Sequence, residues 1–356
     1  MTADSVKKIC LTPQRGVCIS VPVAMERCSL EKESMTNKSR SEATRKALLR
    51  FLLLLTALMA FAGPSRAQLE GIIDIHAHSD PDMQPRRYDA LDFAKRAKAQ
   101  GMRGAVLKSH EVPTAQLAYM INQLVPGFQS WGTVVLNRSV GGINPRAVEI
   151  QAMVKGSYLK LVFMPTKDAE NAQAHAEKRQ YVPVSKNGVL LPETIEVMKL
   201  IIKYNLVLAT GHVQPSDALL LTSEAHRMGI KSVVVTHPTL QHTTVAQMQE
   251  EARNGAYLEF TANPIIPAGQ HGSPTIIPNP PSRKPEEWAA DIRAIGAEHI
   301  IMSGDFGGPN YPDFVPGWKM YIAALKGVGI TDAEIHMMSC ENPAHLLGMD
   351  TPAAKK

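Results

Sequence analysis

Ile72-Ile73-Asp74-Ile75-His76-Ala77-His78 is the stretch on which the fold turns. A short run of β-branched residues bounded by polar ones reads as a buried strand. It closes on two histidines two positions apart, which a strand turns to the same side. A doubly wound nucleotide-binding sheet would carry a Gly-rich phosphate turn after its first strand. Histidines stand there instead.

Working outward, seven further runs of the same kind follow that strand, which itself spans Ile72–His76. They are Gly104–Lys108, Gly132–Leu136, Tyr158–Met164, Leu206–Thr210, Ser232–Thr236, Ala256–Thr261 and His299–Ser303. All are short and apolar, as strands covered on both faces should be. Helical segments alternate with them. Leu91–Gln100 stops at Gly101, Pro192–Tyr204 opens on Pro-Glu, and Ser216–Met228 stops at Gly229. Thr244–Arg253 stops at Asn254-Gly255, and Pro285–Ile295 runs from Pro-Glu-Glu to Gly296. Proline and acids at the front and glycine at the back are helix boundaries. Eight strand–helix repeats in about 290 residues predict an α/β protein of the (β/α)8 TIM-barrel class. The Pro-rich stretch 264–285 is long for a connection, which makes it a candidate lid.

The front of the chain is of another kind. A basic flank, residues 36–50, leads into the twelve-residue apolar run Phe51–Ala62, and Ser65-Arg66-Ala67 follows. Basic flank, short apolar run and small residues at −3 and −1 make a secretory signal peptide. Residues 1–67 are therefore expected to be a leader cut after Ala67, with Met35 a natural start for it. Residues 68–356 are expected to be the barrel, periplasmic or secreted, without a stable membrane anchor. The apolar run falls short of the roughly 20 residues that span a bilayer.

The leader also carries the basicity. The full chain has 38 Lys+Arg against 33 Asp+Glu, of which residues 1–67 hold 11 and 5, leaving 27 basic and 28 acidic residues. A near-neutral remainder gives no electrostatic reason to bind nucleic acid. Cys10, Cys18 and Cys28 lie in the leader, so Cys340 alone remains and no internal disulfide can form. The expected partner is a small-molecule substrate, and a homo-oligomer is compatible with this composition.

Barrel ligands sit at the carboxyl ends of the strands. Strand one ends in His76 and His78, strand five runs into Gly211-His212, strand six into Thr236-His237 and strand eight into Gly304-Asp305. Each feature alone is weak, since a lone histidine is usually a surface or core residue. The coincidence at four strand ends is what points to a metal site. Imidazole nitrogens and a carboxylate suit zinc and related divalent ions. Strand two ends Lys108-Ser109-His110, which puts Lys108 and His110 on one face as further metal or substrate residues. Lys160 lies within strand four. Asn137 and Glu259 are weaker candidates.

This order of ligands resembles the amidohydrolase superfamily: an aspartate-preceded HxH after strand one, single histidines after strands five and six, and an aspartate after strand eight. Asn342-Pro343-Ala344-His345-Leu346-Leu347-Gly348 is similar to a helix segment that often follows the last strand in these proteins. LKSH at 107–110, VLN and GGINPRAVE within 135–149, and FMPT at 163–166 look like a bacterial branch of amidohydrolase-like proteins, a likeness that informs fold and metal site more than substrate. The resemblance spans about residues 70–350. It implies a metal-dependent hydrolase with one or two divalent ions, zinc foremost. His76, His78 and His212 would hold a metal, and His237 would hold a second one or orient the substrate. Asp305, itself near the metal, would be the proton acceptor. Members with two ions often carboxylate a lysine at the end of strand four; Lys160 sits early in its strand for that, and Lys108 is the other candidate. Asp74 would steady a ligand or simply pack its strand. A decarboxylase on the same scaffold, or a periplasmic binding protein without turnover, are the rival readings.

Overall fold

The computed structural model describes residues 69–172, 180–266 and 283–349. The leader and most of the candidate lid lie outside the described residues. Eight parallel strands form one sheet in chain order: β1 (Ile73–Ala77), β2 (Gly104–Leu107), β3 (Gln129–Val135), β4 (Leu159–Phe163), β5 (Val207–Ala209), β6 (Val233–Val235), β7 (Tyr257–Thr261) and β8 (Ile300–Ser303). The ring closes between β8 and β1. Asp305 N donates to His76 O at 2.9 Å and His78 N to Phe306 O at 3.0 Å. The predicted barrel is present, each strand within a few residues of its expected run.

Helices cover the outside: α1 (Ala90–Ala99), α2 (Ala115–Leu124), α3 (Pro145–Ala152), α4 (Pro192–Lys203), α5 (Pro215–Met228), α6 (Val245–Arg253), α7 (Pro285–Ile295) and α8 (Phe314–Gly327). Their ends follow local chemistry. Asp89 caps α1 by accepting from Leu91 N and Asp92 N, Thr244 and Gln247 form a reciprocal capping box on α6, and α5 stops at left-handed Gly229. A short hairpin, Ser185–Lys186 with Val189–Leu190, decorates the connection between β4 and α4.

The core has two layers. One lies between strands and helices, around Phe93, Phe260, Trp288 and Trp318. The other fills the barrel with Ile73, Ile75, Val106, Leu161, Phe163, Val207, Val234 and Ile301. Ala344, Leu346 and Leu347 of the NPAHLLG segment pack into this inner layer. Asn342 holds that segment under β8, its Nδ2 donating to Ala297 O and Ile300 O at 2.9 and 2.7 Å. Apolar side chains thus occupy the barrel up to the level where the polar strand ends begin.

Candidate metal centre

The register of β1 against β2 slips between Asp74 and Ala77. Ile73 and Ile75 belong to the inner layer, whereas Ala77 belongs to the outer one. The irregularity therefore resets which face points inward, and it brings His76 and His78 over the mouth. Bulges are common next to active sites because they re-aim side chains in this way. Both histidines are buried, at 1% and 3% exposure.

The two imidazoles meet Asp305. Its Oδ1 lies 3.2 Å from His76 Nε2 and 3.2 Å from His78 Nε2. Asn263 Nδ2 donates to Oδ2 at 2.7 Å, which fixes the carboxylate plane. The backbone at Asp305 is left-handed, φ 50°. Gly304 before it has no room for a side chain: an added Cβ would stand 2.5 Å from Asp74 Oδ2. A non-glycine residue held in this region at a cluster of polar groups is strain of the sort found at functional sites.

The remaining strand ends complete a ring of imidazoles. His76 stacks on His237 with centroids 5.8 Å apart, His237 meets His212 at 4.8 Å, His212 meets His110 at 5.7 Å, and His110 stacks on His78 at 5.1 Å. Gly211 makes the turn that delivers His212; an added Cβ there would lie 2.3 Å from Met164 O. His110 Nδ1 contacts Thr166 Oγ1 at 2.8 Å, and Asn137 Nδ2 donates to the same oxygen at 2.9 Å. Asn137 thus ties strand ends together and orients His110 from behind.

Lys108 points into this ring. Its Nζ is 2.8 Å from His76 Nε2 and sits 4.4 Å above the Phe163 ring. Lys160 does not join it. It is the second residue of β4, and its Nζ donates to Asn205 O at 2.9 Å, just ahead of β5. That carbonyl belongs to the amino-terminal end of the strands, so Lys160 occupies the opposite mouth. The expectation that it contributes to the site is corrected here: its place in the strand is too early to reach the ligands.

Two carboxylates divide the supporting roles, and Asp74 takes the second of its two expected ones, the packing of its strand. Asp74 bonds no imidazole. Its Oδ1 accepts from His76 N and Gly304 N, both at 3.0 Å, and its Oδ2 from Trp318 Nε1 at 3.1 Å. It ties β1 to the turn after β8, and burial raises its pKa to about 6. Glu259 is the residue that steadies a ring: Oε1 lies 2.9 Å from His76 Nδ1 and accepts from Ser303 Oγ at 2.7 Å. Glu259 was legible as a polar residue at the centre of an otherwise apolar strand. Asn263, on the loop after β7, carried no pattern that would single it out.

Electrostatics fit a cation. Burial lowers the pKa of His78 to about 3 and of His237 to about 4, and holds His110 and His212 well below the usual range. Burial alone would raise Asp305, but His76 and His78 beside it outweigh that and hold it far below the usual carboxylate range. His78, His110, His212 and His237 are thus neutral beside an ionised carboxylate, the protonation state in which such groups bind metals. His76, His78 and Asp305 each offer a ligand atom within 4.8 Å of the other two. The closest trio therefore joins three of the five expected metal residues, with His212 one ring further round. His212 has both ring nitrogens buried without a hydrogen-bond partner among the described residues, and so has His78 Nδ1. Buried polar atoms are normally satisfied. A cation held by one nitrogen of His212 would satisfy that atom, while His78 would bind through Nε2 and keep Nδ1 unpaired.

The architecture recurs in known structures. A protein from Pseudomonas putida assigned as a 2-pyrone-4,6-dicarboxylic acid hydrolase superposes with a TM-score of 0.51 at 15% identity, over 79% of this chain and 99% of that one. The organophosphorus hydrolase of Deinococcus radiodurans gives 0.51 at 15%, over 79% and 94%. The 2,6-dihydroxybenzoate decarboxylase of Rhizobium gives 0.52 at 12%, over 79% and 100%. At these identities the likeness shows the fold alone, a (β/α)8 barrel shared with these enzymes. No functionally curated protein sequence matches the chain. A sequence-family model described as a family of unknown function (DUF6282) matches residues 71–259, from just before β1 through most of β7. The chain belongs to that family, DUF6282, and folds as a (β/α)8 barrel.

Proposed function

We propose that the chain is a metal-dependent hydrolase that directs a water molecule against an amide, ester or lactone bond of a small molecule. The observation that carries this is the convergence of His76 Nε2, His78 Nε2 and Asp305 Oδ1 at the carboxyl end of a barrel. A divalent cation bound there, zinc by the nitrogen-rich donor set, would polarise the scissile carbonyl and make water a stronger acid. Lys108 Nζ, now against His76 Nε2, would yield that nitrogen and remain as a positive charge for the substrate. Asp305 would take the proton of the attacking water on its carboxylate and pass it to the leaving group. Gln241 Nε2 faces His237 Nδ1 at 3.2 Å. With the amide donating, the imidazole proton sits on Nε2, where it can bond a substrate oxygen. This favours His237 as a substrate-orienting donor over a second ligand.

The test is purified protein of measured metal content, offered a panel of amides, lactones and phosphoesters in water enriched in ¹⁸O. One labelled oxygen in the product and loss of turnover on chelation are expected. Release of carbon dioxide without label would instead establish a decarboxylase, and metal at full occupancy without turnover a binding protein.

We infer further that the precursor is exported and cut after Ala67. Support comes from the basic flank, the run Phe51–Ala62 and the small residues at 65 and 67. Among the described residues no helix is long and apolar enough to cross a membrane. Mass spectrometry of the periplasmic fraction is expected to give Gln68 or a close neighbour as the first residue. Membrane-bound protein retaining Phe51–Ala62 would show an anchor instead.

A further inference from the structure

The loop that leaves β1 turns an acid and a base inward beside the metal centre. The side chains of Asp82 and Arg86 are 2% and 7% exposed. Asp82 Oδ1 accepts from Ser109 Oγ at 2.9 Å and from Met83 N at 2.7 Å. Its Oδ2 accepts from Arg86 Nε at 2.7 Å, with Nη2 at 2.5 Å. Ser109 stands between Lys108 and His110, so the relay Ser109–Asp82–Arg86 fixes the guanidinium against the site. Asp82 and Arg86 thus lie beside the strand-two residues of the site.

One carboxylate oxygen takes only the Nε side of this guanidinium. The approach of Nη2 to Asp82 is too poorly aligned to be a hydrogen bond, and Nη2 has no other partner among the described residues although it is buried. An arginine held by its flank leaves the end of its fork for a second planar acceptor. Two parallel bonds to a carboxylate are what that end fits. A loop whose purpose was only to bury an ion pair would not need a buried donor without an acceptor.

We propose that Arg86 receives a carboxylate group of the substrate, so that the site selects small carboxylic acids over neutral molecules of the same shape. This rests on the hydrolase reading for the location of the reacting bond, which then lies between Arg86 and Asp305, flanked by His78. Lys108, charged and buried at 1% exposure, adds to the field that draws an anion in. Lys167 also adds to it, although Glu111 lies 3.6 Å from its Nζ. A phosphate ester also fits a guanidinium fork, so methyl phosphate is the competing anion in the titration.

The experiment is calorimetric titration of the full metal-loaded chain with benzoate, succinate, benzamide and methyl phosphate, with bound metal measured separately. Benzoate or succinate is expected to bind and benzamide is not. Arg86→Gln should weaken acid binding about 10- to 100-fold at unchanged metal content, the scale of a lost charge-assisted pair. Arg86→Lys keeps a charge against Asp82, so it guards against misfolding, and without the fork it should still lose about 10-fold. Equal acid binding by wild type and Arg86→Lys would leave Arg86 as the counter-ion of Asp82 alone and overturn the proposal. Benzamide binding as tightly as benzoate, or methyl phosphate binding more tightly, would overturn it too. Wild type without bound metal would sink the hydrolase reading, while the acid-against-amide difference still decides this one.

Discussion

His78→Ala is expected to leave a folded barrel that retains less than about a tenth of its metal, since a site of three or four protein ligands tolerates the loss of one poorly. The choice of His78 over His76 is structural. His76 is held on both sides, by Glu259 at Nδ1 and by Lys108 at Nε2, so its removal would strand a buried carboxylate and a buried ammonium. Among the described residues His78 has no hydrogen bond at Nδ1, and its side-chain ion-pair contact is Asp305. Truncating it removes a ligand without orphaning a partner. Glu259→Gln should act more mildly, about 10- to 100-fold on metal affinity, as outer partners of ligating histidines do. His212→Ala is informative beside it. If His212 is a ligand, it too should lose metal; if the trio is His76, His78 and Asp305 alone, metal should stay and substrate binding should fall. Metal analysis after gel filtration, with circular dichroism for the fold, reads all three variants. Full occupancy in His78→Ala would remove the metal assignment.

How far the chain could be read depends on which physical signal each part carries. Strands covered on both faces are apolar throughout, so all eight runs stood out. β3 begins at Gln129 rather than Gly132: Gln129 is polar and exposed, and Ser130, though buried, is polar, so the apolar run starts late. α2 and α8 carry weak boundaries. Thr114 before α2 spends its hydroxyl on Leu107 O rather than on the helix, and α8 has Pro316 and Gly317 near its start. Gly317 is there for packing: an added Cβ would lie 2.5 Å from the Phe306 ring. The strand-end histidines were legible because a barrel makes position along a strand equivalent to height. The same rule separates Lys108 from Lys160, once strand limits are known to a residue. Arg86 and Asp82 were not legible. They lie in a loop, where no periodicity marks the inward side, and only the Ser109 contact shows that the loop folds back over the site.

Asp305→Asn is expected to reduce kcat by about 10²–10⁴ while the protein stays folded, the usual contribution of a positioned general base. The carboxylate is ionised at working pH because His76 and His78 hold its pKa far below the ordinary range, despite burial. It therefore has a lone pair for a water proton throughout the neutral range, and no acidic limb near pH 4 should come from its own titration. The amide keeps the size, keeps an oxygen to accept from Asn263, and can stay near His76 and His78. What it loses is basicity. The strained backbone is also preserved, since asparagine tolerates the left-handed region as well as aspartate does. Asp305→Ala would confound this by removing the Asn263 contact and the side-chain preference for that backbone together. The measurement is kcat on the first substrate found, with metal content and thermal midpoint of the same sample. Near-normal kcat at full metal would pass the proton role to His237 or His110, whose neutral imidazoles face the same space. Loss of metal with loss of kcat would show that Asp305 serves first as a ligand, which its distance of 3.2 Å from both imidazole nitrogens allows.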